Sequence, residues 1–494
     1  MPPQDDIDDL KERQICCDCI RESYLSDEVH KQGKRRKCFY CGNLGKCYSI
    51  EEMSERIETA FEDHYARTST EPDALQWLMI SDKESDYDWS RKGQETEYAI
   101  MDAAQIPEEA ASDIQKALEE KYYDFDSAAM GEETEFDSDA RYEEKGVHDG
   151  IWQAEWRGFE HSLKTEARFF SQSAARHLTS VFEGIDRMTT RDGRSLIASV
   201  GPETNLTALY RARVFQSDTK VEGAIAQPDK QLGPPPPASA LAGRMNARGI
   251  SVFYGANDPM VALAEVRPPV GSRVAVARFK ILRSLRLLNL TALSDVFQNG
   301  SIFDSNYKHR LERTMFLRSL SSRLVRPVMP DDEPLEYLVT QAIADFLATE
   351  GKPPLDGIIF PSVQAAGNAL NVVLFHKASY VERIELPLGS KVTAASGDWD
   401  DDGWSYYFRV TEYVSSQQEK PKDKAPDLIF RRVGDLDLSW EDMEPPGAAP
   451  ALRVDLENIH IHIVRAVQFE TEQHKVYRSR SVMSDPNEEQ NPDF

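Results

Sequence analysis

Apolar residues recur at two different periods along this chain, and the change of period divides it. In the first part the period is helical. Ser49-x-x-Glu52 has the form of a capping box, and Met53, Ile57, Ala60, Phe61 and Tyr65 follow it at helical spacing. A second helical piece is expected over residues 73–79, and a third from Pro107, a residue suited to a first turn. Residues 122–144 are acidic with little periodicity, which predicts a loop or connecting segment. The longest stripe comes next: Trp152, Trp156, Phe159, Leu163, Ala167, Phe170, Ala174, Leu178, Val181 and Ile185 fall three or four residues apart. Such a stripe is wide enough to form the spine of a helical bundle.

Near residue 195 the pattern changes to short β-rich runs broken by Gly and Pro, at residues 207–215, 251–254, 274–279, 357–360 and 372–375. Helical patterns lie between them at 258–266 and 335–349, so this part is expected to be an α+β or α/β domain. Pro234, Pro235, Pro236 and Pro237 cannot enter a regular ladder and predict a rigid loop. Beyond residue 395 come an acidic segment, a polar linker at 420–427, and a period-two strand in Ile459-His460-Ile461-His462-Ile463. The last dozen residues are polar and expected to be disordered. There is no internal repeat. The expected organisation is multidomain: a metal-binding knuckle at 10–50, a helical module at 51–190, an α+β domain at 195–395, and a partly disordered, β-containing extension at 396–494.

Composition narrows the choices. The chain has 494 residues, with 58 Lys+Arg against 84 Asp+Glu, a net charge of −26. A surface so acidic repels nucleic acid and anionic membranes at long range, so neither is expected as a partner. No apolar run approaches the ~20 residues of a membrane helix. The start, MPPQDDIDDLKERQ, is acidic and unlike a signal peptide, so the protein is expected in the cytoplasm. All six cysteines lie between residues 16 and 47. In a reducing compartment this crowding points to a metal rather than to disulfides. Cys16 and Cys19 form one C-x2-C pair and Cys38 and Cys41 another, with 18 residues between the pairs. Four thiolates suit a structural zinc, because they leave no open coordination position for chemistry. Cys17 or Cys47 remains an alternative ligand. The basic run Lys34-Arg35-Arg36-Lys37 inside the knuckle could touch nucleic acid, but in so acidic a chain a solvated loop is the expected reading.

The α+β part carries a series of chemistry-bearing residues: Arg211, then Gly243-Arg244-Met245-Asn246, Tyr254, Ala264-Glu265, Pro361-Ser362, and Asn371 after Gly367-Asn368. In this order they resemble the RES domain, over roughly residues 200–390. The paired C-x2-C, the helices and Ala167-Arg168-Phe169-Phe170 resemble the HEPN/RES N-terminal domain, over roughly residues 10–190. The first resemblance implies a fold similar to the diphtheria-toxin-like ADP-ribosyltransferases and a toxin-type enzyme that consumes NAD. It places functional positions at Arg211, Arg244, Tyr254, Glu265 and Ser362, with Met245 standing where the family has Trp. The residue types suit that chemistry. Cleaving the nicotinamide–ribose bond develops positive charge at the anomeric carbon. Arg211 and Arg244 can fork onto the diphosphate, and Tyr254 offers a flat face to nicotinamide. Glu265 can favour the oxocarbenium-like transition state, and Ser362 and Asn371 can orient ribose or amide. Arg211, Tyr254, Glu265 and Ser362 are the candidate catalytic residues; Arg211, Arg244, Asn246, Tyr254, Ser362 and Asn371 are the candidate NAD contacts.

Other readings compete. The same site could pass ADP-ribose to a protein rather than to water or phosphate. A HEPN-type RNase needs Arg and His with four to six residues between them. Arg168 and His177 are spaced too widely, Arg141 and His148 fall in the expected loop region, and His460 belongs to a strand pattern. A regulatory scaffold that only binds nucleotide, and a metal at His460 and His462, complete the set. An NAD-consuming enzyme needs control, for which the helical module, self-association, and a separate antitoxin or activating protein are the candidates.

Overall fold

The computed structural model describes residues 4–82, 86–364, 369–387, 389–400, 403–414, 449–468 and 471–479. The linker expected at 420–427, the last dozen residues, and Gly367 and Asn368 lie outside them.

The N-terminal part is built on one core. A three-stranded sheet places Leu44–Ser49 between Gln14–Cys16 and Lys34–Lys37. Ser49 caps helix Ile50–His64 as the pattern predicts: its Oγ accepts the Glu52 N–H while the Glu52 carboxylate accepts the Ser49 N–H. Met53, Ile57 and Phe61 of this helix pack against Ile100 of helix Thr96–Ala104 and Ile114 and Leu118 of helix Glu108–Tyr122. The loop expected at 122–144 is more ordered than its periodicity implied. It holds helix Phe125–Met130 and strand Arg141–Glu144, because Phe136 and Tyr142 are buried against Phe61. Two isolated anchors are too few to register as a period. The basic run is likewise a strand, Lys34–Lys37, rather than a loop.

The stripe from Trp152 to Ile185 is carried by two helices, not one: α1 (Gly150–Thr165) and α2 (Gln172–Phe182). Arg168 Nε bonds back to the Leu163 carbonyl at 3.3 Å, closing α1, and Ser171 Oγ accepts the Ala174 N–H, opening α2. Phe169 and Phe170 in the break are 90% and 96% exposed, so Phe170 leaves the stripe. The stripe also serves a different core from the N-terminal one. Trp152, Trp156, Leu178 and Phe182 pack with Phe316 and Phe346, far along the chain.

That second core belongs to an eight-stranded sheet formed by β1 (Ile197–Val200), β2 (Ala208–Phe215), β3 (Phe253–Ala256), β4 (Arg273–Ile281), β5 (Leu285–Asn289), β6 (Gly357–Pro361), β7 (Leu370–Leu374) and β8 (Leu452–Ile463), in the order β8-β4-β2-β3-β7-β6-β5-β1. Among the described residues the helices between these strands are α3 (Asp218–Ala226), α4 (Pro259–Glu265), α5 (Tyr307–Val325) and α6 (Glu333–Thr349), with two shorter α-helices and two 3₁₀ turns. Period-two alternation gives the sheet two apolar faces. Leu288, Ile358 and Val373 join α1, α2, α5 and α6, whereas Leu287, Ile359, Val372 and Leu374 face the layer holding α3. Among the described strands of this sheet only β5 and β6 pair in parallel, Leu288 opposite Ile358, and the crossover between them contains α5 and α6. The C-terminal strand pattern extends to the whole of β8, an edge strand running from Arg273 opposite Ile463 to Ile281 opposite Leu452.

The two cores meet at the entrance to α5. Phe303 is buried in the N-terminal core, its carbonyl accepts Arg56 Nη2 at 2.7 Å, and Lys308 pairs with Asp63 at 2.8 Å. No helix among the described residues is long and apolar enough to cross a membrane.

Candidate functional site

The sheet and its helices leave a cavity of about 470 Å³ whose wall includes Arg211, Arg244, Tyr254, Glu265 and Asn371. Residues from positions 211 to 371 thus meet in one place. Arg211 comes from β2, Tyr254 from β3, Asn371 from β7, and Glu265 from the last position of α4. Asp258 fixes α4 by accepting the N–H groups of Met260 and Val261, with Pro259 in the first turn, while Val261 and Ala262 bury one side. That leaves Glu265 at the cavity wall.

Glu265 is held from two sides. Asn371 Nδ2 donates to its Oε1 at 2.7 Å, and Ser362 Oγ donates to the same oxygen. Ser362 follows β6, and its hydroxyl accepts the Gln364 N–H at 3.1 Å. These contacts orient one carboxylate oxygen, and Oε2 has no hydrogen-bond partner among the described residues. Ser362 itself lies behind Glu265 and is absent from the cavity wall.

Among the described residues Arg211 and Arg244 have no counter-ion. Arg211 Nη1 donates to the Tyr254 carbonyl at 3.0 Å, its guanidinium stands 5.3 Å from the Phe253 ring centre, and its Nε is buried without a partner. Burial, then the charge of Arg213, lowers its pKa to about 10, still well above neutral. Arg244 Nη1 donates to the Leu324 carbonyl at 2.8 Å, and its guanidinium lies 5.5 Å from the ring centre of Tyr337. A wall carrying unpaired guanidinium groups, in a chain of net charge −26, suits an anionic ligand.

Tyr254 is tied at its hydroxyl, which donates to Asn246 Oδ1 at 2.9 Å and accepts the Met245 N–H at 3.0 Å. Burial pushes its pKa up to about 12, so it stays a neutral phenol. Asn246 is buried and absent from the wall: its Nδ2 serves the carbonyls of Leu241, Ala247 and Ile250. It shapes the turn that carries Arg244 and supports Tyr254, and has no polar atom left for a ligand. Met245 is buried in the core with Val252.

Three further residues were not legible beforehand. Tyr337 and Glu333 reach the wall from α6, with Tyr337 donating to Glu333 at 2.9 Å. They belong to an ordinary helical pattern in which nothing marks them. Arg267 lines the mouth, is exposed and makes no ion pair among the described residues. Its φ of 42° is a left-handed conformation in a residue that precedes a proline. Such strain clusters at functional sites. The Arg267-Pro268-Pro269 sequence was the available signal.

The cysteines form a separate centre. The Cys16 sulfur lies 3.6 Å from those of Cys19 and Cys41, and Cys19 lies 3.8 Å from Cys38. Four sulfurs bound tetrahedrally at ~2.3 Å from zinc stand about 3.8 Å apart, so this set fits such an ion. Cys17 points instead toward Asp18 and His30, and Cys47 bonds to the carbonyls of Arg36 and Gly45. Among the described residues these four cysteines are the one group of three or more potential ligands within metal-binding distance, which leaves His460 and His462 without a third partner. His177 is packed between Trp156 and Phe159 and pairs with Glu155 at 3.6 Å, a core position away from Arg168.

No curated protein and no solved structure matches the chain. The family model described as RES domain matches residues 208–397, a span that contains Arg211, Arg244, Tyr254, Glu265, Ser362 and Asn371; the chain carries a RES domain there.

Proposed function

We propose that this RES domain cleaves the nicotinamide–ribose bond of NAD and so depletes it, with water or phosphate as acceptor. The observation that carries the reading is the Glu265 carboxylate, fixed by Ser362 and Asn371 at the wall of a cavity that also holds Arg211 and Arg244. In the proposed reaction the C1′–N bond breaks with its electron pair remaining on the nicotinamide nitrogen, which leaves neutral. The acceptor oxygen bonds to C1′ and loses a proton. Glu265 is the catalytic residue, its anion opposing the positive charge that develops on the ribose. Arg211 and Arg244 bind the diphosphate, Tyr254 faces the nicotinamide, and Asn371 and Ser362 act by positioning Glu265. Asn246 is assigned a supporting role rather than a substrate contact, because its hydrogen bonds are used within the chain.

Zinc at Cys16, Cys19, Cys38 and Cys41 would fold the knuckle, and reduced thiols fit a cytoplasmic setting. The N-terminal part, clamped around Phe303, is the proposed control element. The test is to incubate the purified protein with NAD, with and without phosphate, and follow products by mass spectrometry. Free nicotinamide with ADP-ribose or its 1-phosphate is expected. Glu265→Gln, folded by thermal melting, is expected to lose turnover. Undiminished turnover in that variant, or ADP-ribose found only on protein, would overturn the assignment.

A further inference from the structure

The basic run in the knuckle is not a loop. Lys34, Arg35, Arg36 and Lys37 form an edge strand of the three-stranded sheet, and all four are exposed. Pairing with Leu44–Ser49 sets Arg35 directly opposite Lys46, a like-charge cross-strand pair that costs stability. None of these five cations makes an ion pair among the described residues, in a chain with 84 acidic residues. Lys46 donates only to the Gly33 carbonyl. An edge strand needs a charge or two to discourage aggregation. Four in succession, opposite a fifth and uncompensated, exceed that need.

The strand leads directly into Cys38, and the next residue is an exposed aromatic. Phe39 is 56% exposed, with the Arg13 guanidinium 4.4 Å from its ring centre and Tyr40 edge-on at 5.4 Å. The knuckle thus presents a row of cations ending in an aromatic ring held from behind. Alternate residues on a strand stand about 6.6 Å apart on one face, a spacing on the scale of successive phosphates in an unpaired strand. A groove of cations with an aromatic on which a base can stack is how single strands are bound without sequence preference. The chain's overall acidity does not oppose this at contact, because charges beyond the Debye length of about 8 Å are screened at physiological salt.

We infer that the Lys34–Lys37 strand with Phe39 is a binding surface for single-stranded nucleic acid, separate from the RES cavity. The negative net charge governs long-range approach, whereas this patch governs contact. Because none of these residues lies in the cavity wall, the surface does not depend on what the RES domain does.

The test is fluorescence anisotropy of the full chain with labelled 16-nucleotide oligo-U RNA and oligo-T DNA, and with a duplex of equal length, from 50 to 200 mM salt. Binding of either single strand is expected. With about three phosphate contacts, from Arg35, Lys37 and the cross-strand Lys46 on one face, the log–log salt slope should be near −2.1, a loss of roughly 20-fold over that range. The variant Lys34→Ala/Arg35→Ala/Arg36→Ala/Lys37→Ala should lose at least tenfold in affinity, and Phe39→Ala about fivefold or more. Both should keep wild-type zinc content, thermal midpoint and cavity activity. The RNA and DNA arms show whether the 2′-hydroxyl contributes. No binding at 50 mM salt, binding unchanged in the folded variants, or equal displacement by polyglutamate would overturn the inference, the last reassigning the patch to an acidic protein segment.

Discussion

Removing the amide of Asn371 separates a positioning role from a structural one. Asn371 donates to Glu265 Oε1 at 2.7 Å and is only 8% exposed. A hydrogen bond to a charged group is worth about 1.5–3 kcal/mol, which converts to roughly 10- to 150-fold in rate if the whole effect falls on the transition state. Asn371→Ala should therefore lower kcat for nicotinamide release by about that range. KM should change much less, since the contact orients a charge that acts as the ribose cation develops. Ser362→Ala should act similarly, because its hydroxyl reaches the same oxygen. The decisive measurement is the double-mutant comparison. In a Glu265→Gln background, Asn371→Ala should change kcat less than twofold, because there is no carboxylate left to orient. Thermal melting checks that the central strand remains folded. Wild-type kcat in Asn371→Ala, or losses that simply multiply with Glu265→Gln, would refute positioning through Glu265.

Four other outcomes follow from the geometry. Arg267→Ala should raise KM for NAD about fivefold with little change in kcat, the size of an exposed ion contact of about 1 kcal/mol, read by steady-state kinetics. Cys38→Ser should abolish bound zinc in elemental analysis and cost the N-terminal core its protection from hydrogen exchange, because four ligands define the centre. Phe303→Ala should destabilise by about 3–5 kcal/mol if its buried ring cannot be replaced by relaxation, and should expose the junction to limited proteolysis. His177 has its pKa lowered by burial, partly offset by Glu155. The unfolded chain therefore takes up that proton first, so the contribution of His177 is full above about pH 6.5 and is lost as pH falls below it. His177→Leu should flatten the fall in thermal midpoint between pH 7.5 and 5.5.

The parts of the fold that could be read from sequence are those where one period holds without interruption. Ser49 and Glu52 announce their capping box, and the β2, β6 and β7 runs lie close to their predicted places. Helix α5 was not visible. Its residues Lys308, Arg310, Arg313, Arg318 and Arg323 interrupt the apolar pattern, because the aliphatic stems and guanidinium groups serve contacts such as Arg313 to the Val181 carbonyl. The long stripe misled for a related reason. Periodicity reports which face is buried, not against what, and α1 and α2 bury theirs against α5 and α6. At the site, the residue types were legible but their division of labour was not. Asn246 and Asn371 look alike in sequence, yet one ties a turn to itself and the other reaches Glu265.

Helix α5 also joins the two halves physically. Its entrance is clamped by the N-terminal part through Phe303, Arg56 and the Lys308–Asp63 pair. Its nineteen residues, about 28 Å at 1.5 Å each, end at Val325, beside the Leu324 carbonyl that receives Arg244. Val325, Pro327 and Val328 then form part of the cavity wall. Displacement of α5 along its axis would therefore move the carbonyl that orients Arg244, without touching Glu265, whose partners lie on β7 and just after β6. In the proposed reaction, a signal from the N-terminal part would be felt first as a change in diphosphate binding, and only secondarily in the bond-breaking step. Control of this kind acts on KM before kcat, a distinction that follows from where the helix ends.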